Sequence, residues 1–222
     1  VVLTVRYDLD GDLTKAQRQG TTTVGLVCKD GVVFAADKRA SLGNLIATKR
    51  AEKIFEVDKH IGTTVAGSLG DLQFLVNIMR IQARLYSLRQ GKRISVNSLA
   101  TLLSNILQSS KFLPYWVHII VGGYEKEGSR IYTLDPAGGK TEDKMVSTGS
   151  GSTIAYGVLE DRYDENITVE TGVNLALRSV KVAIERDVFT GDGIDLVTIT
   201  EKGFKKYTDK EKEKLIKSLE SS

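Results

Sequence analysis

Gly20 followed by Thr21, Thr22 and Thr23 carries the most distinctive chemical option in this chain. A threonine at a processed N-terminus can use its own α-amino group, with a reference pKa of about 7.7–8.0, as the base for its hydroxyl. An amide nitrogen is not a base, so the option requires cleavage between Gly20 and Thr21. Gly20 has no side chain to shield its carbonyl from the neighbouring Thr21 hydroxyl. Residues 1–20 then become a removable leader. Such a site also needs a fixed cation to favour the deprotonated hydroxyl, and a carboxylate to hold that cation. Asp37, Lys38 and Arg39, and the run Lys49–Lys53 (KRAEK), offer both. Their spacing alone does not choose among the lysines.

Other chemistries have little to work with. There is no phosphate-binding loop, no dinucleotide-binding glycine turn and no serine-hydrolase elbow; Gly149–Ser152 (GSGS) matches none of them. The only two histidines are His60 and His118. The first reads as a turn residue and the second as a strand residue, so a histidine-based triad has no support. Cys28 is the single cysteine, which excludes an intrachain disulfide and a zinc cluster. Its place near the end of an apolar strand reads as a small buried hydrophobe. No metal or organic cofactor is expected.

The 31 basic and 28 acidic residues leave a formal charge of only +3. That balance predicts neither a nucleic-acid partner nor a membrane surface. No apolar run approaches the ~18 residues of a membrane span. The first twenty residues carry Arg6, Asp8, Asp10, Asp12, Lys15 and Arg18 without an apolar stretch, unlike a secretory signal. A reducing, cytoplasmic setting is expected. With 222 residues, 41% hydrophobic and 27% charged, the chain reads as one folded domain.

The elements that must position these residues follow from periodicity. Thr21–Lys29 and Val32–Asp37 read as a strand pair around an Asp30-Gly31 turn. Ile54–Val57 and Ile61–Ala66 form a second pair. Leu72, Leu75, Val76, Met79, Ala83 and Tyr86 mark one helix, and Leu99, Leu102, Leu103, Ile106 and Leu107 another. Ser95 is placed to cap the second of these. Strands return at Val117–Tyr124, Arg130–Leu134 and Lys144–Thr148. Helices follow near Ile154–Asp161 and from Val169 to Ile184. Ile194–Thr200 reads as the last strand, and the Lys/Glu-rich tail from 202 as a short surface helix. Helices in pairs between strand runs predict an α+β fold of four layers, α-β-β-α, with two stacked, mainly antiparallel sheets.

Several short motifs resemble archaeal proteasome β subunits. They are Thr21–Gly25 (TTTVG), Asp30–Val33 (DGVV), Ala35–Ala40 (AADKRA), Gly43–Ala47 (GNLIA) and Lys49–Phe55 (KRAEKIF). Ala66–Asp71 (AGSLGD), Ser147–Ser152 (STGSGS), Tyr156–Glu160 (YGVLE), Arg186-Asp187 and Gly191–Asp195 (GDGID) continue the match. It runs in order from about Gly20 to Thr200. The resemblance implies an N-terminal-nucleophile hydrolase, a threonine endopeptidase matured by autocleavage at Gly20–Thr21. Residues 21–222 would then be the catalytic domain and residues 1–20 the propeptide. By the same resemblance Thr21 is the nucleophile, Lys53 the active-site lysine, Asp37 its charge partner and Arg39 a support for that geometry. Ser150 and Asp187 match residues that hydrogen-bond around the threonine amine, and Gly67 the backbone donor of the oxyanion hole. Thr190 stands where some relatives carry Ser.

The resemblance also implies a substrate pocket lined by Ala40, Ala51, Phe55, Val65, Leu69 and Gln73, none of them charged. It therefore implies cleavage after apolar residues. Ser41 matches a substrate contact made through the main chain. Implied partners are α subunits and other β subunits in stacked seven-membered rings, a regulatory ATPase reached through the α ring, and unfolded protein substrates. The alternative reading is a non-catalytic β subunit of the same ring that keeps its propeptide.

Overall fold

Two β-branched runs separated by Lys29 and Asp30 form the hairpin at the centre of the molecule: β1 (Thr22–Cys28) and β2 (Gly31–Asp37). Their antiparallel register runs from Thr23 opposite Ala36 to Cys28 opposite Gly31. The computed structural model describes residues 20–220. The expected leader, apart from Gly20, lies outside the described residues. Around the hairpin β10 (Met145–Gly149), β11 (Ile194–Thr200) and β12 (Gly203–Lys206) complete a five-stranded sheet in the order β10-β1-β2-β11-β12. A second sheet orders β5 (Ile54–Asp58), β6 (Ile61–Gly67), β7 (Val117–Glu125), β8 (Gly128–Leu134) and β9 (Lys140–Asp143) side by side. Every strand pairing in both sheets is antiparallel.

Three apolar clusters separate four layers. Helices α1 (Leu69–Gln90) and α2 (Val96–Ser109) pack Leu75, Met79, Leu99 and Leu103 against Ile61, Ile119 and Val121 of the second sheet. Helices α3 (Ser152–Arg162) and α4 (Val169–Arg186) pack Leu159, Ala176 and Val180 against Val24, Leu26 and Leu196 of the first sheet. Between the sheets lie Phe34, Ile54, Ile120, Ile131 and Val197. Strand alternation does the sorting: Val33 and Ala35 face the helices while Val32, Phe34 and Ala36 face the other sheet. The expected α-β-β-α architecture is the one observed. Ser95 caps α2 by accepting from the Ser98 amide, and Thr168 caps α4 by accepting from the Thr171 amide.

Three edges differ from expectation. The strand read at Lys144–Thr148 is β10, and it is preceded by an unanticipated β9. Ile194–Thr200 is not the last strand, because β12 pairs with it from Gly203 opposite Thr200 to Lys206 opposite Val197. A short hairpin, β3 (Ala40–Leu42) with β4 (Leu45–Thr48), follows β2. Strands this short show too few alternations to be read from pattern. The tail does form a helix, α5 (Asp209–Glu220), but it is not purely superficial. Leu215 and Leu219 pack onto the α3–α4 side, and buried Lys212 donates to the Ile194 carbonyl.

Candidate active site

Antiparallel pairing brings the start of β1 beside the end of β2. Asp37 therefore meets the residue after Thr21, and Thr22 N–H donates to Asp37 Oδ1 at 2.9 Å. Asp37 is fully buried. A buried carboxylate needs partners for all its lone pairs, and Asp37 has four. Lys53 Nζ donates to Oδ1 at 2.6 Å, while the Arg39 and Gly191 amides donate to Oδ2, each at 3.0 Å.

Lys53 lies just before β5 and is 4% exposed. Its carbonyl accepts from Val65 N–H, which ties it to β6, and its ammonium also donates to the Arg39 carbonyl at 2.6 Å. Burial pulls the Lys53 pKa below the usual lysine value, with Asp37 opposing the shift. Of the candidate lysines, Lys38 is turned elsewhere, toward Asp195 at 3.3 Å. Arg39 points its guanidinium at Asp192 and the Val188 carbonyl, so it fastens the 187–192 loop. Asp192 has a left-handed φ of 63° and is held below the usual carboxylate range by its bond from Arg39.

A second set of groups surrounds Thr21 from the other side. Asp187 closes α4, its amide donating to the Ala183 carbonyl. Its Oδ2 accepts from Ser150 at 2.5 Å and from Thr190 at 2.6 Å. Thr21 N–H faces Ser150 Oγ at 3.3 Å. Thr22 Oγ1 lies 2.7 Å from Thr190 Oγ1. Because Thr190 gives its only hydroxyl proton to Asp187, Thr22 is the donor in that contact. Thr22 thus bonds both sets, through its amide to Asp37 and its hydroxyl to Thr190.

Thr21 itself is 4% exposed, and its hydroxyl donates to the Gly20 carbonyl at 2.6 Å. Gly20 is also buried. A Cβ there would sit 1.9 Å from Phe189 Cβ and 2.5 Å from the Phe189 carbonyl oxygen, so glycine is required by space as well as by access. The Gly20 amide donates to Ser41 Oγ at 2.9 Å. This side-chain contact is additional to the main-chain substrate contact that the resemblance implies for Ser41.

Gly67 ends β6 with φ 132°, a conformation side-chain-bearing residues rarely adopt. A Cβ there would also lie 2.0 Å from the Trp116 carbonyl oxygen. The expected pocket residues fall on neighbouring elements: Ala40 and Ser41 on β3, Ala51 before β5, Phe55 on β5, Val65 on β6, Leu69 and Gln73 on α1. Val65 and Ala51 are buried, Phe55 packs against the α1–α2 core, and Gln73 is exposed.

The structure brings Thr21, Asp37, Lys53, Arg39, Ser150, Asp187 and Thr190 into one connected cluster. Sequence reasoning did not single out Thr22, Phe189 or the Gly191 amide. The triple threonine was the available signal for Thr22, since its second member must face away from its neighbours on a strand.

The chain matches the family described as Proteasome subunit over residues 17–199. It is 50% identical over 202 residues to "Proteasome subunit beta" of Methanothermobacter thermautotrophicus, covering 90% of this chain and 96% of that one. It is 52% identical over 199 residues to "Proteasome subunit beta 1" of Thermococcus onnurineus, covering 90% and 98%. Identity to "Proteasome subunit beta" of Methanocaldococcus jannaschii is 51% over 205 residues, covering 91% and 92%. The chain belongs to the proteasome subunit family, on its β-subunit side, a family whose members assemble into a protease. Among the described residues no helix is long and apolar enough to cross a membrane.

Proposed function

We propose, from that membership, that the chain is a threonine endopeptidase subunit with Thr21 as nucleophile, freed by its own cleavage after Gly20. The observation that carries the reading is the Thr21 hydroxyl resting on the Gly20 carbonyl, with the next residue's amide bound to the buried Asp37 that holds Lys53.

In the uncut chain Thr21 Oγ attacks the Gly20 carbonyl carbon. The Oγ proton passes to the departing amide nitrogen as the C–N bond breaks. An ester between Gly20 and Thr21 Oγ results. Water hydrolyses that ester, residues 1–20 leave with a terminal carboxylate, and Thr21 gains a free α-amine. Residues 21–222 then form the mature subunit.

In turnover the same attack falls on a substrate peptide. The freed amine takes the Oγ proton, and Ser150, whose own proton is given to Asp187, orients that amine. Lys53 commits two ammonium protons to Asp37 and Arg39, leaving the third for the developing alkoxide on Thr21. The Gly67 amide receives the tetrahedral oxyanion; losing one such donor costs about 3–4 kcal/mol in comparable sites. Water then hydrolyses the acyl-enzyme ester.

The uncharged pocket residues, buried Val65 among them, favour apolar side chains before the cut. Stacked seven-membered rings with α subunits, a regulatory ATPase and a cytoplasmic setting belong to the same proposal, with unfolded polypeptide as substrate and neither nucleic acid nor membrane as partner. A peptide panel on the assembled particle tests the chemistry and the preference together. Fastest cleavage after Leu, Phe or Tyr, absent in Thr21→Ala, is expected. Faster cleavage after Arg or Glu would refute the pocket, and undiminished cleavage in Thr21→Ala would refute the nucleophile.

A further inference from the structure

Ser41 stands apart from the hairpin that carries it. In β3 and β4 Leu42, Leu45 and Ile46 are exposed, whereas Ser41 is 6% exposed. The hairpin register shifts between Ala40 and Ser41. An irregularity of this kind re-aims a side chain. Here Ser41 Oγ is aimed at the Gly20 amide, 21 residues earlier in the chain.

Gly20 is consequently held at three points. Its N–H is held by Ser41, Phe189 occupies the space a side chain on it would need, and its carbonyl oxygen takes the Thr21 hydroxyl. Glycine has the greatest backbone freedom of any residue. An unanchored Gly20 would let the scissile carbonyl turn away from the nucleophile, and small misplacements of reacting atoms are costly in rate.

We propose that the Ser41 hydroxyl is a positioning residue for self-processing: it anchors the Gly20 amide so that the scissile carbonyl stays on Thr21 Oγ. This rests on the reading of Thr21 as the self-cleaving nucleophile. Ser41 exchanges no atoms in the step. The C–N bond between Gly20 and Thr21 breaks, the ester to Thr21 Oγ forms, and water resolves it as described above. Once residues 1–20 leave, this hydrogen bond has no donor.

The test follows leader loss by intact mass in the assembling full-length chain, and peptide hydrolysis by the matured particle, for wild type, Ser41→Ala, Ser41→Thr and Thr21→Ala. Ser41→Ala is expected to slow leader loss by roughly 2–10-fold, the range for one neutral hydrogen bond. It is expected to slow leader loss more than it slows kcat per matured site, and Ser41→Thr restores the processing rate. Leader loss at the wild-type rate in Ser41→Ala overturns the proposal. So does an equal slowing of both steps, which marks a purely structural or substrate-contact role. Leader loss in Thr21→Ala instead overturns the underlying nucleophile reading, so the two failures are distinct.

Discussion

Cys28 and Asp37 sit at opposite ends of the β1–β2 hairpin, the first 1% exposed and the second fully buried. At the Cys28 end the surroundings are apolar. Val33 and Val173 belong to the same cluster, and the thiol is pushed up to about 12, by burial first and by Asp30 second. At the Asp37 end four donors satisfy one carboxylate and a second carboxylate gathers two hydroxyls. Both ends carry residue types that elsewhere act as nucleophiles. Burial, reinforced by the Asp30 charge, silences one of them, because both disfavour the thiolate. Burial with a full set of polar partners organises the other.

Substitutions at the polar end probe this contrast hardest. Thr21→Ala is expected to abolish leader loss and lower peptide hydrolysis by on the order of 10⁴-fold or more, measured as kcat/KM on the assembled particle. Lys53→Ala is expected to come close to it, and it also strips a buried carboxylate of its cation. Breaking such a pair costs about 3–5 kcal/mol, so a thermal melt beside the activity separates lost chemistry from lost fold. A normal rate of acyl-enzyme formation in Lys53→Ala would remove that residue from the mechanism.

The hydroxyl chain gives a smaller effect. Thr22→Val keeps the strand shape and removes the donor to Thr190. A drop of roughly 10-fold in kcat with little change in KM is expected, the scale of a buried polar group left unpartnered. Thr22→Ser should recover most of the loss.

The pH profile sharpens the contrast further. In the proposed mechanism the freed amine must be neutral to accept a proton, so activity is expected to rise with pH through its pKa. The same mechanism requires Lys53 to be charged, and its lowered pKa means the proton leaves earlier as pH rises. The basic limb is therefore expected below the ordinary lysine value near 10.5. A flat profile through that region would separate Lys53 from the rate. At the apolar end the expectation is inertness. A thiol reagent at pH 8 should leave native Cys28 unmodified and react once the chain is unfolded.

The layers were legible because the long strands and helices carry several turns of clean periodicity. The Cys28 end was legible for the same reason, as one more residue in an apolar run. The polar end was legible only in part. Residue spacing supplied a threonine, a carboxylate and several lysines, and the family resemblance pointed to Lys53 among them. In the fold Lys38 turns to Asp195, whereas Lys53 is buried on Asp37. The roles of Ser41, Thr22 and Phe189 depend on contacts across 21, 168 and 169 residues, which no local pattern encodes. The short strands β3, β4, β9 and β12 escaped for the opposite reason, being too brief to show a period.

The most direct test is the intact mass of the chain after assembly, for wild type and Thr21→Ala side by side. A wild-type species beginning at Thr21, with Thr21→Ala keeping its leader, is the predicted result. A wild-type chain that retains Gly20 in a fully assembled particle would leave the amine blocked. That would contradict the threonine-protease account and mark the subunit as a non-catalytic member of its ring.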